Sequence, residues 1–260
     1  MLINEDLLGR IIALAKRAGD EIMTIYNTGF TVKTKDDASP VTVADERAEK
    51  IILNAFKNDI RTPIPVISEE AAAAGTLPNL DGSTFWLVDP LDGTKEFINK
   101  NDEFTVNIAL IENGVPVMGV VHTPALETTH WGWAEGAFKQ SGTARLEKIS
   151  CRAQPENGIT AVVSRSHRGA DIDDFLKAYT VAEEISAGSS LKFCTVAEGK
   201  ADLYPRLGRT MEWDTGAGHA VLAAAGGKVV TLDGSALKYG KPIFENPHFI
   251  AASNDVPYPV

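Results

Sequence analysis

Only two cysteines occur in the 260 residues, Cys151 and Cys194, in no C-x-x-C pattern and at no metal-ligand spacing. That excludes a disulfide scaffold or a zinc module and fits a reducing compartment, with both thiols read as inert core groups. Positive charge is also scarce: 25 Lys and Arg stand against 35 Asp and Glu, a net charge of −10. Such a field repels nucleic acid polymers and anionic lipid unless basic residues gather locally. Long apolar runs are missing, since stretches such as Val115 to Val121 are short and contain Pro or Gly, so no transmembrane segment is expected. The start, Met1 to Asp6, carries Glu5 and Asp6 where an export signal carries lysines and an apolar run. The expected setting is the cytoplasm. With 44% apolar and 23% charged residues the composition is that of a globular protein, long enough to bury roughly 70–75% of its unfolded surface.

Apolar residues at three- and four-residue steps, from Leu7 to Ile25, predict a long amphipathic helix over about residues 4–27. Ala44, Ala48, Ile51, Ile52, Ala55 and Phe56 predict a second, with Thr42 as its N-cap. Short β-like runs follow at Ile64–Ser68, Phe85–Asp89, Thr105–Ile111 and Val115–His122, the last two joined by Asn113-Gly114 as an antiparallel hairpin. Strands continue through Thr128–Ala134 and Ala137–Lys139, and a polar stretch near 141–148 marks a boundary. Beyond it, strands at 160–164, 182–185 and 201–204 alternate with helices at 172–179, 190–198 and 214–225, an α/β pattern. The expected division is an α+β lobe of residues 1–142 and an α/β lobe of residues 143–260.

The densest chemical signal is Trp86-Leu-Val-Asp89-Pro-Leu-Asp92-Gly93-Thr94-Lys95, a strand running into two acids three residues apart. Two carboxylates held that close repel unless a hard cation lies between them, and Mg²⁺ takes a few carboxylates while keeping sites for phosphate oxygens. Gly93 lets a phosphate approach the backbone, and the N–H groups of Gly93, Thr94 and Lys95 at a helix start supply donors. Taken alone, Asp89 reads equally as a strand-end acid and Asp92 as a cap. Glu69, Asp214 and Asp45 also sit at element edges, where Asp214 and Asp45 serve as helix caps and Glu69 as one exposed acid of a pair.

Taken together, Val41-Thr42-x-x-Asp45, Ser68-Glu69-Glu70, Asp89-Pro-Leu-Asp92-Gly-Thr94 and Trp213-Asp214-x-x-Ala217-Gly218 resemble the ordered motifs of the inositol monophosphatase-like, lithium-sensitive phosphatases. The resemblance covers about residues 5–250. It implies an α/β fold, an α-β-α-β-α layered sandwich of two lobes, the first carrying most of the metal ligands and the second the substrate-binding residues and Asp214. It implies two to three Mg²⁺ ions: Glu69, Asp89 and the Leu91 carbonyl at one, Asp89, Asp92 and Asp214 at a second, and Glu69 at a weaker third, with Li⁺ and Ca²⁺ as inhibitors. Asp45 and Thr94 then form a hydrogen-bonded pair that takes a proton from the attacking water.

Outside the acids, Thr94-Lys95-Glu96-Phe97 and Gly188-Ser-Ser-Leu-Lys192 depart from the inositol enzymes, and Leu207 stands where those place a Glu for sugar hydroxyls. These departures, with Ser164-Arg-Ser-His167 and Tyr204-Pro-Arg206, resemble the CysQ-type 3′(2′),5′-bisphosphate nucleotidases. That branch implies hydrolysis of 3′-phosphoadenosine 5′-phosphate to AMP in sulfate assimilation. Substrate contacts are then Gly93, Thr94, Lys95, His167, Ser189, Lys192 and Arg206, with Arg209 as an alternative cation. An inositol or histidinol monophosphatase is the same-class alternative. A catalytically silent nucleotide-binding regulator is the alternative from another class, against which the full set of acids, Asp45 and Thr94 argues. The expected partner is a small phosphorylated nucleotide and the expected state a monomer or homodimer, with peripheral association at the cytoplasmic face of the inner membrane left open.

Overall fold

The computed structural model describes residues 3–29, 32–34, 40–61, 63–80, 83–165 and 169–257. Helix α1, Glu5–Thr28, begins where Asn4 Oδ1 accepts the Leu7 N–H at 2.9 Å, and it ends at Gly29, whose φ of 91° breaks the helix. A short antiparallel ribbon, β1 (Val32–Thr34) with β2 (Pro40–Thr42), leads into α2, Val43–Ala55, capped by Thr42 as its sequence predicts.

Among the described residues the chain then builds a seven-stranded sheet in the order β3 to β9. Its strands are β3 (Val66–Ser68), β4 (Thr84–Asp92), β5 (Thr105–Glu112), β6 (Val115–Thr123), β7 (Thr128–Trp133), β8 (Gly136–Ser141) and β9 (Glu147–Ile149). All neighbours are antiparallel except β3 and β4. Short helices α3 (Glu69–Ala73) and α4 (Thr94–Ile98) follow β3 and β4. The β5–β6 hairpin turns at Asn113 and Gly114, both with positive φ, as the Asn-Gly pair requires. The sheet extends to Ile149, into the stretch that sequence alone reads as polar linker.

A five-stranded sheet follows in the order β11-β10-β12-β14-β13. It comprises β10 (Ile159–Ser164), β11 (Val181–Ala187), β12 (Leu203–Arg206), β13 (Gly227–Thr231) and β14 (Phe249–Ser253), with helices α5 (Ala170–Leu176), α6 (Leu191–Ala197) and α7 (Glu212–Ala224). The β11-β10-β12 part is parallel, as strand–helix alternation predicts; β13 and β14, unread in the sequence, add an antiparallel edge.

Strand alternation sorts the cores. Trp86, Val88, Val106, Ile108 and Leu110 face α1 and α2; Phe85, Leu87, Ala109 and Ile111 face α6 and α7. On the second sheet Tyr204, Phe249 and Ala251 face the same two helices, and Leu203, Ile250 and Ala252 face Ile172 and Leu176 of α5. The result is the expected α-β-α-β-α stack. No helix of the described residues is long and apolar enough to cross a membrane.

Helix α7, buried between the sheets, is built from small residues for a geometric reason. Gly119 and Gly132 are cross-strand partners on β6 and β7. A Cβ on Gly119 would stand 2.5 Å from the Ala217 carbonyl, and one on Gly132 2.6 Å from the Ala220 carbonyl. The helix backbone therefore rests directly on a bare patch of sheet. Gly119→Ala is expected to lower the urea-denaturation stability by about 1–3 kcal/mol, because backbone must move to make room. Gly9→Ala, on an exposed turn of α1 with nothing within 4 Å of the new atom, should instead raise it by about 0.5–1 kcal/mol.

Candidate active site

Strands β3 and β4 run parallel with Ser68 beside Val88, so what leaves their C-terminal ends emerges side by side: Glu69 from one, Asp89 from the other. Asp92 lies three residues past Asp89, and regular alternation would send the two to opposite faces. The ladder shows otherwise. Asp89 pairs with Asn107 and Asp92 with Thr105, so Pro90 and Leu91 together oppose Val106 alone. This β-bulge adds one residue and returns Asp92 to the face of Asp89. Pro90, which has no N–H to lose, sits within the bulge, and the Leu91 N–H donates to Asp89 Oδ1 at 3.0 Å. The fourth acid comes from outside the sheet: Asp214, in the first turn of α7, accepts the Met211 N–H at 2.8 Å.

These four carboxylates repel one another. Burial first, then the charges of Glu69, Asp92 and Asp214, hold Asp89 well above the usual carboxylate range, and Asp89 shares a hydrogen bond with Glu69 that a common proton permits. Burial, with Asp92 and Glu69, pushes Asp214 up to about 8. Asp92 is also raised by burial, against the pull of Lys192. Polar partners on β5 orient it: Asn107 Nδ2 donates to Asp92 Oδ2 at 3.3 Å and to Ser190 Oγ at 2.9 Å, and Ser190 Oγ donates to the Asp214 carbonyl at 2.9 Å.

Asp45 stands behind this wall, 1% exposed. Its Oδ2 accepts the Thr42 N–H at 2.8 Å and the Thr42 hydroxyl at 2.7 Å, and its Oδ1 accepts the Thr94 hydroxyl at 3.2 Å. The helix-cap reading and the Thr94-partner reading are both realised, one on each oxygen. Burial pushes Asp45 up to about 6.

Glu69, Asp89, Leu91, Asp92, Gly93, Thr94, Lys95 and Asp214 line one cavity of about 400 Å³, to which the second half of the chain adds Ser189, Lys192, Arg206 and Arg209. Lys192 is buried; its Nζ donates to the Ser189 carbonyl at 2.7 Å and the Ala187 carbonyl at 3.4 Å, and burial lowers it to about 8. Arg206 Nη2 donates to the Arg209 carbonyl at 3.0 Å, while its Nε is buried without a hydrogen-bond partner. Ser189 hands its hydroxyl to the carbonyls of Asp92 (2.9 Å) and Glu103 (2.7 Å). At Gly93 the backbone is left-handed, with φ of 89°, and a Cβ there would also collide with Ser189 Oγ. His167 lies outside the described residues. Nothing in the sequence assigns a role to Asn107, Ser190 or Glu103. Thr105 and Asn107 were traceable, as polar residues at alternate positions of an otherwise apolar strand; Ser190 and Glu103 carry no local signal.

Residues 4–258 match the model of the inositol monophosphatase family. The chain belongs to that family. A 3′(2′),5′-bisphosphate nucleotidase CysQ of Salmonella typhimurium is 44% identical over 246 residues, 94% of this chain and 98% of the relative. The same-named protein of Escherichia coli K12 is 43% identical over 246 residues, with the same coverage. The crystal structure of CysQ from Bacteroides thetaiotaomicron, a bacterial member of the inositol monophosphatase family, covers 99% of this chain and all of its own at 39% identity, with a TM-score of 0.81. The inositol monophosphatase family is generally Mg²⁺-dependent.

The donor chemistry fits such an ion. Among the described residues no group of three or more acid, His or Cys side chains is placed to hold a metal ion as it stands. Even so, the all-oxygen set of carboxylates lining one cavity is what a hard cation takes. Asp214→Asn tests this. At pH 9, above the raised pKa of about 8, removing one like charge should raise the melting temperature in chelator by about 2–4 °C per kcal/mol of repulsion relieved, and abolish most of the rise that Mg²⁺ gives the parent protein.

Proposed function

We propose that the chain is a Mg²⁺-dependent 3′(2′),5′-bisphosphate nucleotidase that converts 3′-phosphoadenosine 5′-phosphate to AMP and phosphate, serving sulfur metabolism in the cytoplasm as a monomer or homodimer. The observation that carries the reading is one cavity holding a carboxylate wall together with Lys192, Arg206 and Arg209. A substrate with two phosphates needs both. The names of the CysQ relatives support it. In this reading the first lobe, drawn from the sequence as residues 1–142 and carried by its sheet to Ile149, supplies most of the acids, and the remainder of residues 143–260 supplies the second-phosphate contacts and Asp214.

Glu69, Asp89, Asp92, Asp214 and the Leu91 carbonyl would hold two to three Mg²⁺, which neutralise the scissile phosphate, acidify a water and stabilise the leaving alkoxide. Ca²⁺, larger and content with more ligands, and Li⁺ are the expected inhibitors. Gly93, Thr94 and Lys95 line the cavity at the start of α4 and are the expected contacts of the scissile phosphate. Thr94 passes a proton from the attacking water to Asp45, whose raised pKa of about 6 suits a base working near neutrality. Thr42 holds the far oxygen of Asp45, so the near one stays aimed at Thr94. At the other end, an ammonium has three donors and Lys192 uses two on carbonyls, which leaves one for a phosphate. Arg206, lining the same cavity, brings a second cation. Ser189 contributes by position, and the family resemblance adds His167, which lies outside the described residues.

Turnover of adenosine 3′,5′-bisphosphate against adenosine 3′-monophosphate, inositol phosphate and histidinol phosphate decides the substrate; equal rates overturn the reading. Arg206→Ala should raise KM for the bisphosphate and spare the 3′-monophosphate, since a charge-assisted contact of about 1.5–3 kcal/mol corresponds to roughly ten- to a hundredfold in discrimination. Asp45→Asn keeps an oxygen for the cap and loses the base. Its kcat is expected to fall by about 10²–10⁴ while stability changes by about 1 kcal/mol or less, as read by initial rates and urea denaturation.

A further inference from the structure

The loop between α4 and β5 carries an acid, Glu103, that the chemistry above leaves unused. Its Oε2 accepts the Gly188 N–H at 2.8 Å and Arg165 Nε at 2.9 Å, and its Oε1 accepts Arg165 Nη2 at 2.7 Å. Its backbone carbonyl accepts the Ser189 hydroxyl at 2.7 Å. Arg165 in turn donates to the Ser186 carbonyl at 3.3 Å, so the end of β11 and the turn into α6 are tied to this one residue from both sides. The fit is close: a Cβ on Gly188 would stand 2.8 Å from the Glu103 carbonyl.

The anchor is itself held. Lys100 and Asp102 adopt left-handed backbone, φ 58° and 65°, which persists only where contacts impose it. The Tyr26 hydroxyl donates to Asp102 at 2.8 Å, and Lys100 Nζ donates to the Tyr26 carbonyl. Helix α1 thereby fixes the loop, and the loop fixes the turn at Gly188-Ser189.

That turn is what places Lys192. The two carbonyls receiving its Nζ, those of Ala187 and Ser189, flank Gly188, the residue Glu103 grips. The Glu103–Arg165 pair is 21% and 44% exposed on its two sides, so its net energy is small and its consequence is geometric. We infer that Glu103 is a positioning residue for the phosphate that is not cleaved, acting through Gly188 and Ser189 on the ammonium of Lys192.

The inference rests on the bisphosphate reading of the site and is tested beside it. Glu103→Ala is expected to raise KM for adenosine 3′,5′-bisphosphate about tenfold with kcat within threefold, and to leave kcat/KM for adenosine 3′-monophosphate within twofold. Glu103→Gln, which keeps an acceptor for the Gly188 N–H, should recover most of that KM. In a Lys192→Ala background Glu103→Ala should add less than twofold, because both changes remove the same contact. Equal losses on the two substrates, a loss in kcat with KM unchanged, or full additivity with Lys192→Ala overturns it. If Glu103→Ala does not fold, Glu103→Asp, one methylene short of Gly188, replaces it with the same outcomes. A parent enzyme with no preference for the bisphosphate overturns the site reading and this inference together; a preference that survives Glu103→Ala overturns the inference alone.

Discussion

Helix α7 can carry Asp214 to the sheet only because its backbone lies directly on the paired glycines of β6 and β7, and the arrangement of the site follows from that contact. The opposite side of the helix is as tight: a Cβ on Gly218 would stand 2.5 Å from the Phe193 ring. Close packing on two sides leaves little freedom to slide or rotate, since interiors packed at crystal density transmit displacement instead of absorbing it. The carboxylate at the start of the helix is therefore delivered to a defined place beside Glu69, Asp89 and Asp92.

Bringing four acids together opposes folding. A buried carboxyl raised above its ordinary value favours the fold below the usual carboxylate pKa and loses that contribution as pH climbs, up to about 8 at Asp214. The structure tolerates this through directed donors: Met211 N–H on Asp214, the Leu91 N–H on Asp89, and the Asn107 amide on Asp92. A protein of net charge −10 also needs a local positive field to admit a polyanion, and Lys192, Arg206 and Arg209 reach the cavity from the second half of the chain. The site is a junction, with Glu69, Asp89 and Asp92 at the ends of β3 and β4, the cations on α6, at the end of β12 and in the loop after it, and the Glu103 and Ser189 contacts joining them.

Much of this was legible in the residues. Helices α1 and α2 announce themselves because their apolar periodicity and caps are local, and the Asn113-Gly114 hairpin because its turn chemistry is. The acids stood out as Asp89-Pro-Leu-Asp92-Gly, and the ordered motifs named the family. Strands β13 and β14 went unread because their pairing, β14 with β12 and β13, joins segments far apart in the chain. The sequence starts this helix at Asp214 and the structure at Glu212, because a helix apolar on all sides shows no periodic edge.

Residues and short spacings alone carry the first two helices, the β5–β6 hairpin, the sign of the field and the ordered motifs of the family, since these are local or compositional. Tertiary structure decided how those groups face one another. A one-residue bulge put Asp89 and Asp92 on one face, where alternation alone would part them. A Cβ at Gly93 would meet Ser189 Oγ, brought there by the turn between β11 and α6. Asp45 proved to be both cap and partner of Thr94, because its two oxygens point to different elements. Each of these outcomes turns on distances between residues remote in sequence, which close packing sets and local pattern does not record.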